Sequence, residues 1–157
     1  IPGRTGINML PVTMAKLAKH PNILGVKEAT GDLNQVSKII QSCGEDFLVL
    51  SGEDALTFPM LCLGAQGAIS VTANLMPKEC RAMWEAIQKQ DLQKARELHF
   101  KLSDLNEILF IETNPAPVKA ALAMMGKISQ EIRKPLVDLE EANKTKLKDV
   151  LKQYQLI

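Results

Sequence analysis

The sequence predicts an α/β fold in which helices alternate with the short strands of a parallel sheet, and three observations predict it. Three apolar runs rich in branched residues, at 23–26, 47–50 and 68–71, are each bounded by Gly, Pro, Asn or Asp. Continuous runs of this length are typical of strands buried on both faces of a parallel sheet. Helix-period segments separate the runs, and beyond Asn74 only helical patterns follow. This order indicates successive βα units with a helical extension.

The first predicted helices carry recognisable start and stop signals. Helix 10–19 has Pro11 in its first turn, where the fixed φ of proline suits a helix. Helix 32–42 begins with Asp32, a residue type that caps helix N-termini, and Gly44 stops it. Further helices are predicted over 53–63, 77–90, 91–111, 118–125 and 140–153.

Three strands are too few for so many helices in a complete α/β domain. A full (β/α)8 barrel, or TIM barrel, takes about 250 residues, whereas this chain has 157. We therefore expect residues 1–90 to form half of such a barrel and residues 91–157 to form a carboxyl-terminal domain of three helices. The chain starts with Ile1 rather than Met, within a loop-like segment, so we expect a piece of a longer protein.

Composition excludes several function classes. The chain is 46% hydrophobic and 24% charged, with a formal charge of +1, which argues against a nucleic-acid-binding face. No apolar run is long enough for a membrane span, and no secretory signal opens the sequence. Cys43, Cys62 and Cys80 are far apart and lack CxxC spacing. We therefore expect reduced thiols, no metal site and a cytoplasmic location.

Polar residues follow each of the three apolar runs abruptly. They occupy 26–31, 50–54 and 70–74. In parallel α/β sheets, functional residues gather at the carboxyl ends of the strands. We therefore expect a site formed by these three segments.

Lys27 is the residue in these segments that points most directly to catalysis. It follows the run 23–26, so its stem should lie in a low-dielectric interior. Desolvation favours the neutral amine, which can attack a carbonyl and form a Schiff base without a separate cofactor. Alternatively, Lys27 turns outward and pairs with Glu28 or Asp32.

Arg4 lies in a turn that is flanked by glycines, ahead of the first predicted helix. A guanidinium there can hold a carboxylate through two hydrogen bonds, and the alternative is an arginine in a surface loop. The surrounding glycines do not form a dinucleotide-binding GxGxxG motif, and no GxSxG motif surrounds Ser51. Neither pattern therefore indicates a nucleotide cofactor or a serine nucleophile.

Five motifs in order resemble the dihydrodipicolinate synthase (4-hydroxy-tetrahydrodipicolinate synthase) family. These are the Schiff-base (β/α)8 aldolases of the diaminopimelate route to lysine. The motifs are Ile-Pro-Gly-Arg-Thr-Gly at 1–6, Gly-Val-Lys-Glu-Ala-Thr-Gly at 25–31, Leu-Ser-Gly-Glu-Asp at 50–54, Gly-Ala-Ile-Ser-Val-Thr-Ala-Asn at 67–74 and Asn-Pro-Ala-Pro-Val-Lys at 114–119. The resemblance runs along the whole chain and implies the carboxyl-terminal half of the barrel, followed by the family's helical domain.

The resemblance also implies a role for individual residues. Lys27 corresponds to the lysine that forms an imine with pyruvate, so no further cofactor is expected. Arg4 corresponds to the arginine that holds the carboxylate of the second substrate, L-aspartate 4-semialdehyde. Gly52 and Ile69 correspond to positions whose backbone carbonyls line the floor of the pocket.

The family resemblance implies partners as well. The amino-terminal half of the same barrel would complete the site, because the threonines and tyrosines of the family's proton relay precede Ile1. We therefore expect a class I aldolase-type lyase whose isolated fragment is inactive. The helical domain would support a homo-oligomer, either a dimer or a tetramer.

Two other functions stay open from the sequence. The chain could belong to a related pyruvate-dependent lyase, of the N-acetylneuraminate lyase or keto-deoxy-sugar aldolase type. It could also be a non-catalytic half-barrel remnant that serves only in assembly. A charged pocket at Arg4 disfavours the first, and intact motifs at both Lys27 and Arg4 disfavour the second. An uncovered sheet edge would make the isolated chain self-associate.

Overall fold

The computed structural model describes residues 1–157, which form a three-stranded sheet and nine helices. The strands are β1 (Gly25–Glu28), β2 (Leu48–Ser51) and β3 (Gly67–Ala68), adjacent in that order and all parallel. The helices are α1 (Pro2–Thr5), α2 (Pro11–Leu17), α3 (Leu33–Cys43), α4 (Thr57–Cys62), α5 (Pro77–Gln88), α6 (Leu92–Lys101), α7 (Ser103–Ile108), α8 (Ala116–Met124) and α9 (Glu141–Gln153). The predicted parallel βα units are confirmed. None of the helices combines the length and the apolar character needed to span a membrane.

The chain divides into two compact units. The sheet unit comprises Ile1–Ser70 and Ala86–Asp91, and the helical unit comprises Val71–Glu85 and Leu92–Ile157. The sequence-based division placed the boundary after residue 90. In the structure, most of α5 goes with the helical unit instead.

The core of the sheet unit lies between the sheet and its helices. Helix α3 begins as predicted, because Asp32 Oδ1 accepts hydrogen bonds from the backbone N–H of Asn34 (2.8 Å) and Gln35 (3.3 Å). Gly44, at φ 90°, follows its last residue. Apolar residues of the strands and helices pack together there, namely Met14, Val36, Ile39, Phe47, Val49, Met60 and Ala65.

The continuous apolar runs predicted strands that are buried on both faces. In the structure, the strands are buried on one face only. Val49 in β2 is fully buried, whereas its neighbour Leu48 is 43% exposed. Successive strand side chains point to opposite faces, so the Val49 side contacts the helices and the Leu48 side remains accessible. The prediction was wrong because three strands do not close a barrel around that second face.

The third strand is shorter than the predicted run 68–71. Val71 lies outside it, and a 3₁₀ turn follows at Thr72–Asn74. The Val71 carbonyl oxygen accepts hydrogen bonds from both the backbone N–H (3.1 Å) and the side-chain Nδ2 (2.9 Å) of Asn74. These bonds curl the chain where the apolar pattern alone predicted continued extension.

The helical unit contains four helices after residue 91, so the predicted three-helix domain is not confirmed. The helix predicted over 91–111 divides into α6 and α7 at Leu102. The Leu102 N–H is shared between the carbonyls of Leu98 (3.1 Å) and His99 (3.2 Å), and Ser103 Oγ donates to the Phe100 carbonyl at 2.8 Å. A serine hydroxyl that bonds to a carbonyl in the preceding turn competes with the regular helical pattern.

Leucine dominates the core of the helical unit. Its buried residues are Leu75, Met76, Leu102, Leu105, Ile108, Leu109, Ala116, Val118, Ala120, Ala121, Leu139, Leu147 and Leu151. Glu112 caps α9 from outside the helix, because its Oε1 accepts from the Glu140 N–H (3.0 Å) and from Asn143 Nδ2 (2.8 Å). This carboxylate therefore supplies the cap that the helix lacks in its own sequence.

Candidate active site

The carboxyl ends of the three strands lie level at one edge of the sheet. Glu28, the last residue of β1, pairs with Ser51, the last residue of β2. Hydrogen bonds continue the ladder past the strands, because Gly52 N–H donates to the Glu28 carbonyl and Ile69 N–H donates to the Ser51 carbonyl, both at 2.8 Å. Segments 26–31 and 50–54, which the sequence predicted as parts of a site, therefore meet at this edge, with Ile69 bonded beside them.

Lys27 and Gly52 are in direct contact at this edge. A methyl group at Gly52 would lie 2.6 Å from Lys27 Cε and 2.9 Å from Lys27 Cγ. The aliphatic stem of the lysine therefore crosses the space that a side chain at Gly52 would occupy. Lys27 is half-buried, so its stem is packed while the residue keeps contact with solvent.

The alternative in which Lys27 pairs with Glu28 or Asp32 is not what the structure contains. Glu28 points to the opposite face of the strand, where it is buried, and Asp32 caps α3. The ion pairs Arg81–Glu85, Lys94–Glu97, Lys101–Glu79 and Lys144–Glu141 involve other residues. Lys27 is therefore not neutralised by either neighbouring carboxylate.

The turn after β2 is shaped by the hydroxyl of Ser51. Ser51 Oγ donates to the Glu53 carbonyl (2.8 Å) and accepts from Thr57 Oγ1 (3.2 Å). Ser51 is buried, so these bonds form away from solvent. They fix the backbone on both sides of Gly52, which keeps the glycine against the lysine stem.

Ile69 and Arg4 are more exposed than Lys27 and Gly52. Ile69 is bonded through its backbone to Ser51, next to Gly52, and its side chain is 50% exposed. Arg4 lies exposed in α1, which ends at Gly6 in the left-handed region with φ 69°. The structure thus joins Lys27, Gly52 and Ile69 at the sheet edge, and places Arg4 in the same unit on a separate turn.

Sequence reasoning missed a buried polar network behind this edge. Glu28 accepts hydrogen bonds from the Thr30 N–H and from Gln35, and Gln35 bonds to Asn8. Strand alternation could have found it, because a residue next to an inward-facing lysine must face the helices. Gln35 was a second indication of this network in the sequence, because it is a polar residue next to the apolar positions of α3.

This edge presents the amine of Lys27 and contains no cluster of metal ligands. No three His, Cys, Asp or Glu side chains lie close enough together to hold a metal ion. Parallel βα units whose polar residues gather at the carboxyl edge define the class of protein: the chain is a parallel α/β protein of the kind that includes (β/α)8 barrels.

Comparisons with known proteins identify the family within that class. The model of the dihydrodipicolinate synthetase family matches residues 1–154. The 4-hydroxy-tetrahydrodipicolinate synthases of Thermodesulfovibrio yellowstonii and Geotalea uraniireducens are each 54% identical over all 157 residues, which cover 54% of either relative. The chain therefore belongs to the dihydrodipicolinate synthetase family, as the five motifs indicated, and spans about half the length of these relatives.

Solved structures share the fold of this chain over about half of their own length. Dihydrodipicolinate synthase from Aquifex aeolicus superimposes with a TM-score of 0.97 at 46% identity, covering 99% of this chain and 54% of that one. The chloride-inhibited enzyme from Acinetobacter baumannii, solved in complex with pyruvate, gives a TM-score of 0.96 at 41% identity, over 100% and 54% of the two chains. The fold of this chain is thus that of half of these proteins.

Proposed function

We propose that this chain is the lysine-bearing half of a Schiff-base synthase that condenses pyruvate with L-aspartate 4-semialdehyde, in the diaminopimelate route to lysine. The observation that carries the proposal is the packing of the Lys27 stem on Gly52 at the carboxyl edge of the sheet. A lysine held by its stem, without a carboxylate partner, can present its amine to a carbonyl substrate. The names of the relatives support the synthase over the related lyases.

In the first step, Lys27 Nζ attacks the ketone carbon of pyruvate. The amine nitrogen forms a bond to that carbon, and the former ketone oxygen leaves as water, which gives a protonated imine. The imine nitrogen then accepts electrons as the methyl carbon loses a proton, and an enamine results. These proton transfers require an acid–base relay, which we assign to the half of the barrel that is not in this chain.

In the second step, the enamine carbon adds to the aldehyde carbon of the semialdehyde, and the aldehyde oxygen becomes a hydroxyl. Arg4 would hold the carboxylate of this substrate through two hydrogen bonds. The substrate amine then attacks the imine carbon, which closes the ring and releases Lys27 as a free amine. Gly52 and Ile69 would line the pocket floor through their backbone carbonyls.

The amino-terminal half of the barrel is the partner that this mechanism needs. Side chains on the open side of the sheet, such as Leu48 and Ile69, are exposed here and would be covered by further strands. Assembly into a dimer or tetramer and a cytoplasmic location belong to the same proposal. A monomeric variant of dihydrodipicolinate synthase is among the similar solved structures, so oligomer size requires its own measurement.

The test is denaturing intact-mass spectrometry of the assembled barrel, in which the chain is paired with its amino-terminal half, after incubation with pyruvate and borohydride. We expect the chain to gain the mass of one reduced pyruvate, mapped to Lys27 by peptide analysis. Lys27→Ala should gain none, whereas the matched variant Lys38→Ala, at an exposed lysine of α3, should react like the unmodified chain. An adduct at another lysine, or no adduct in the unmodified chain, would overturn the assignment.

A further inference from the structure

Glu28 carries a buried carboxyl group that has no role in the proposed condensation. It follows Lys27 directly but lies on the opposite face of β1, and it is only 5% exposed. Its Oε1 accepts from the Thr30 N–H at 2.7 Å, and its Oε2 accepts from Gln35 Nε2 at 3.2 Å. A buried polar group needs hydrogen-bond partners, and these two donors give the carboxyl group of Glu28 a fixed place.

Gln35 connects Glu28 to the segment that follows Arg4. Gln35 and Asn8 form a reciprocal amide pair, in which each side chain donates to the oxygen of the other at 2.9 Å. Gln35 is 6% exposed, and its backbone N–H is bound by the Asp32 cap. The Gln35 end of the pair is therefore fixed by helix α3 and by the strand, and the pair ties the loop at Asn8 to that fixed end.

The turn that carries Arg4 is itself held together by hydrogen bonds. Gly6 N–H donates to the Pro2 carbonyl at 2.9 Å. Thr5 Oγ1 bonds to the carbonyls of Ile1 (3.2 Å) and Ile7 (3.1 Å). A turn bonded in this way moves as one piece, so fixing Asn8, two residues beyond Gly6, restrains the whole turn.

We propose that Glu28, Gln35 and Asn8 form a positioning clamp, which sets the place of the Arg4 turn relative to the strand that carries Lys27. The clamp would affect the step that uses the second substrate without touching either substrate. It acts on Arg4, which would hold the carboxylate of the aldehyde substrate, and leaves the amine of Lys27 in place. This inference rests on the proposed function. A small displacement of a group that holds substrate lowers the rate of a condensation strongly, because the reacting atoms must meet at a suitable distance and angle.

The first arm of the test measures the clamp by hydrogen–deuterium exchange. We expect Gln35→Leu to raise the exchange rate of the backbone amides of residues 5–10 by about tenfold. Gln41→Leu is the matched control, because it makes the same change at an exposed position of the same helix and should leave those amides unchanged. Asn8→Ala removes the amide pair from its exposed end and should reproduce the effect even if Gln35→Leu unfolds.

The second arm separates positioning from a general structural role. In the preparation that forms the pyruvate adduct, succinic semialdehyde serves as a carboxylate-bearing aldehyde: the enamine carbon bonds to its aldehyde carbon, the aldehyde oxygen becomes a hydroxyl, and borohydride then traps a Lys27 adduct heavier than the pyruvate adduct by the mass of one aldehyde. We expect Asn8→Ala and Gln35→Leu to raise the half-effective aldehyde concentration about tenfold, while the adduct rate without aldehyde changes by less than about twofold. Gln41→Leu should change neither quantity.

Each outcome decides a separate point. Unchanged exchange at residues 5–10 in both variants would overturn the clamp. Faster exchange with an unchanged aldehyde requirement would leave the network as a structural feature and overturn its positioning role. If the unmodified chain forms no adduct, the proposed function fails, and the positioning role fails with it, whatever the exchange rates show.

Discussion

The two units of the chain fill their interiors differently. Buried polar side chains are concentrated in the sheet unit, and buried leucines in the helical unit. The buried polar residues of the sheet unit are Glu28, Gln35, Ser51, Asp54 and Thr57, against Thr72 and Asn106 in the helical unit. The leucines with almost no exposed surface are Leu102, Leu105, Leu109, Leu147 and Leu151, all in the helical unit.

This difference shows how stability and geometry are divided along the chain. Apolar burial stabilises a fold without specifying where any one atom lies, because the hydrophobic effect is non-directional. Buried hydrogen-bond networks specify positions, because each unsatisfied group is unfavourable in a low-dielectric interior. The sheet unit therefore carries the geometry behind Lys27, whereas the helical unit is stabilised mainly by apolar burial.

The largest expected effect follows from the leucine core. Leu105→Ala should lower the free energy of unfolding of the chain by about 2–5 kcal/mol, because the residue is fully buried and its removal leaves a cavity. Denaturant titration measures this loss. Leu92→Ala, at a leucine that is 56% exposed on the neighbouring helix, is the control and should change stability by less than about 0.5 kcal/mol. Equal losses in the two variants would contradict the contribution of this buried core to stability.

A smaller effect is expected at the sheet edge. Gly52→Ala places a methyl group within 2.9 Å of both Lys27 and Ala29, and overpacking of this kind costs about 1–3 kcal/mol. Because the stem of Lys27 must move, formation of the pyruvate adduct should also slow by roughly tenfold. Gly3→Ala is the control, since nothing lies within 4 Å of a methyl group there.

A double-mutant cycle sharpens the comparison at this edge. In a Lys27→Ala background, the stability cost of Gly52→Ala should fall, because the two stem atoms in the way are gone. Denaturant titration of the four variants gives the coupling directly. A cost that is the same in both backgrounds would mean that Lys27 and Gly52 are not packed as the structure has them.

Much of the fold could be predicted from local signals. The Asp32 cap, Pro11 in the first turn of α2 and the parallel strands were all predicted, because caps, prolines and apolar runs act within a few residues. The division of the helix over 91–111 was missed, because it coincides with single local hydrogen bonds, such as that of the Ser103 hydroxyl to a carbonyl. Periodicity does not register such a bond.

The candidate site was predictable in part for a similar reason. The sequence placed Lys27 at a strand end, and motif resemblance added Arg4, Gly52 and Ile69, whose roles stay predictions. The Glu28–Gln35–Asn8 connection was missed because it joins residues far apart in the chain, and no spacing rule encodes such a pairing. The close approach of Gly52 to the lysine stem was likewise invisible, since it depends on the strand register.

The smallest expected effect is a pH dependence of stability that arises in the helical unit. Burial lowers the pKa of His99 below its usual value of 6.5, because desolvation penalises the imidazolium. The unfolded chain therefore takes up a proton first as the pH falls, so stability is complete above about pH 6.5 and declines as the pH drops through that value. Denaturant titration at about pH 7.5 and about pH 5.5 should show this decline. His99→Gln should reduce it, whereas His20→Gln, at an exposed histidine of the sheet unit, should retain it. If His20→Gln removed the decline instead, the pH dependence of stability would arise in the sheet unit and not from the desolvated imidazole of His99 in the helical unit.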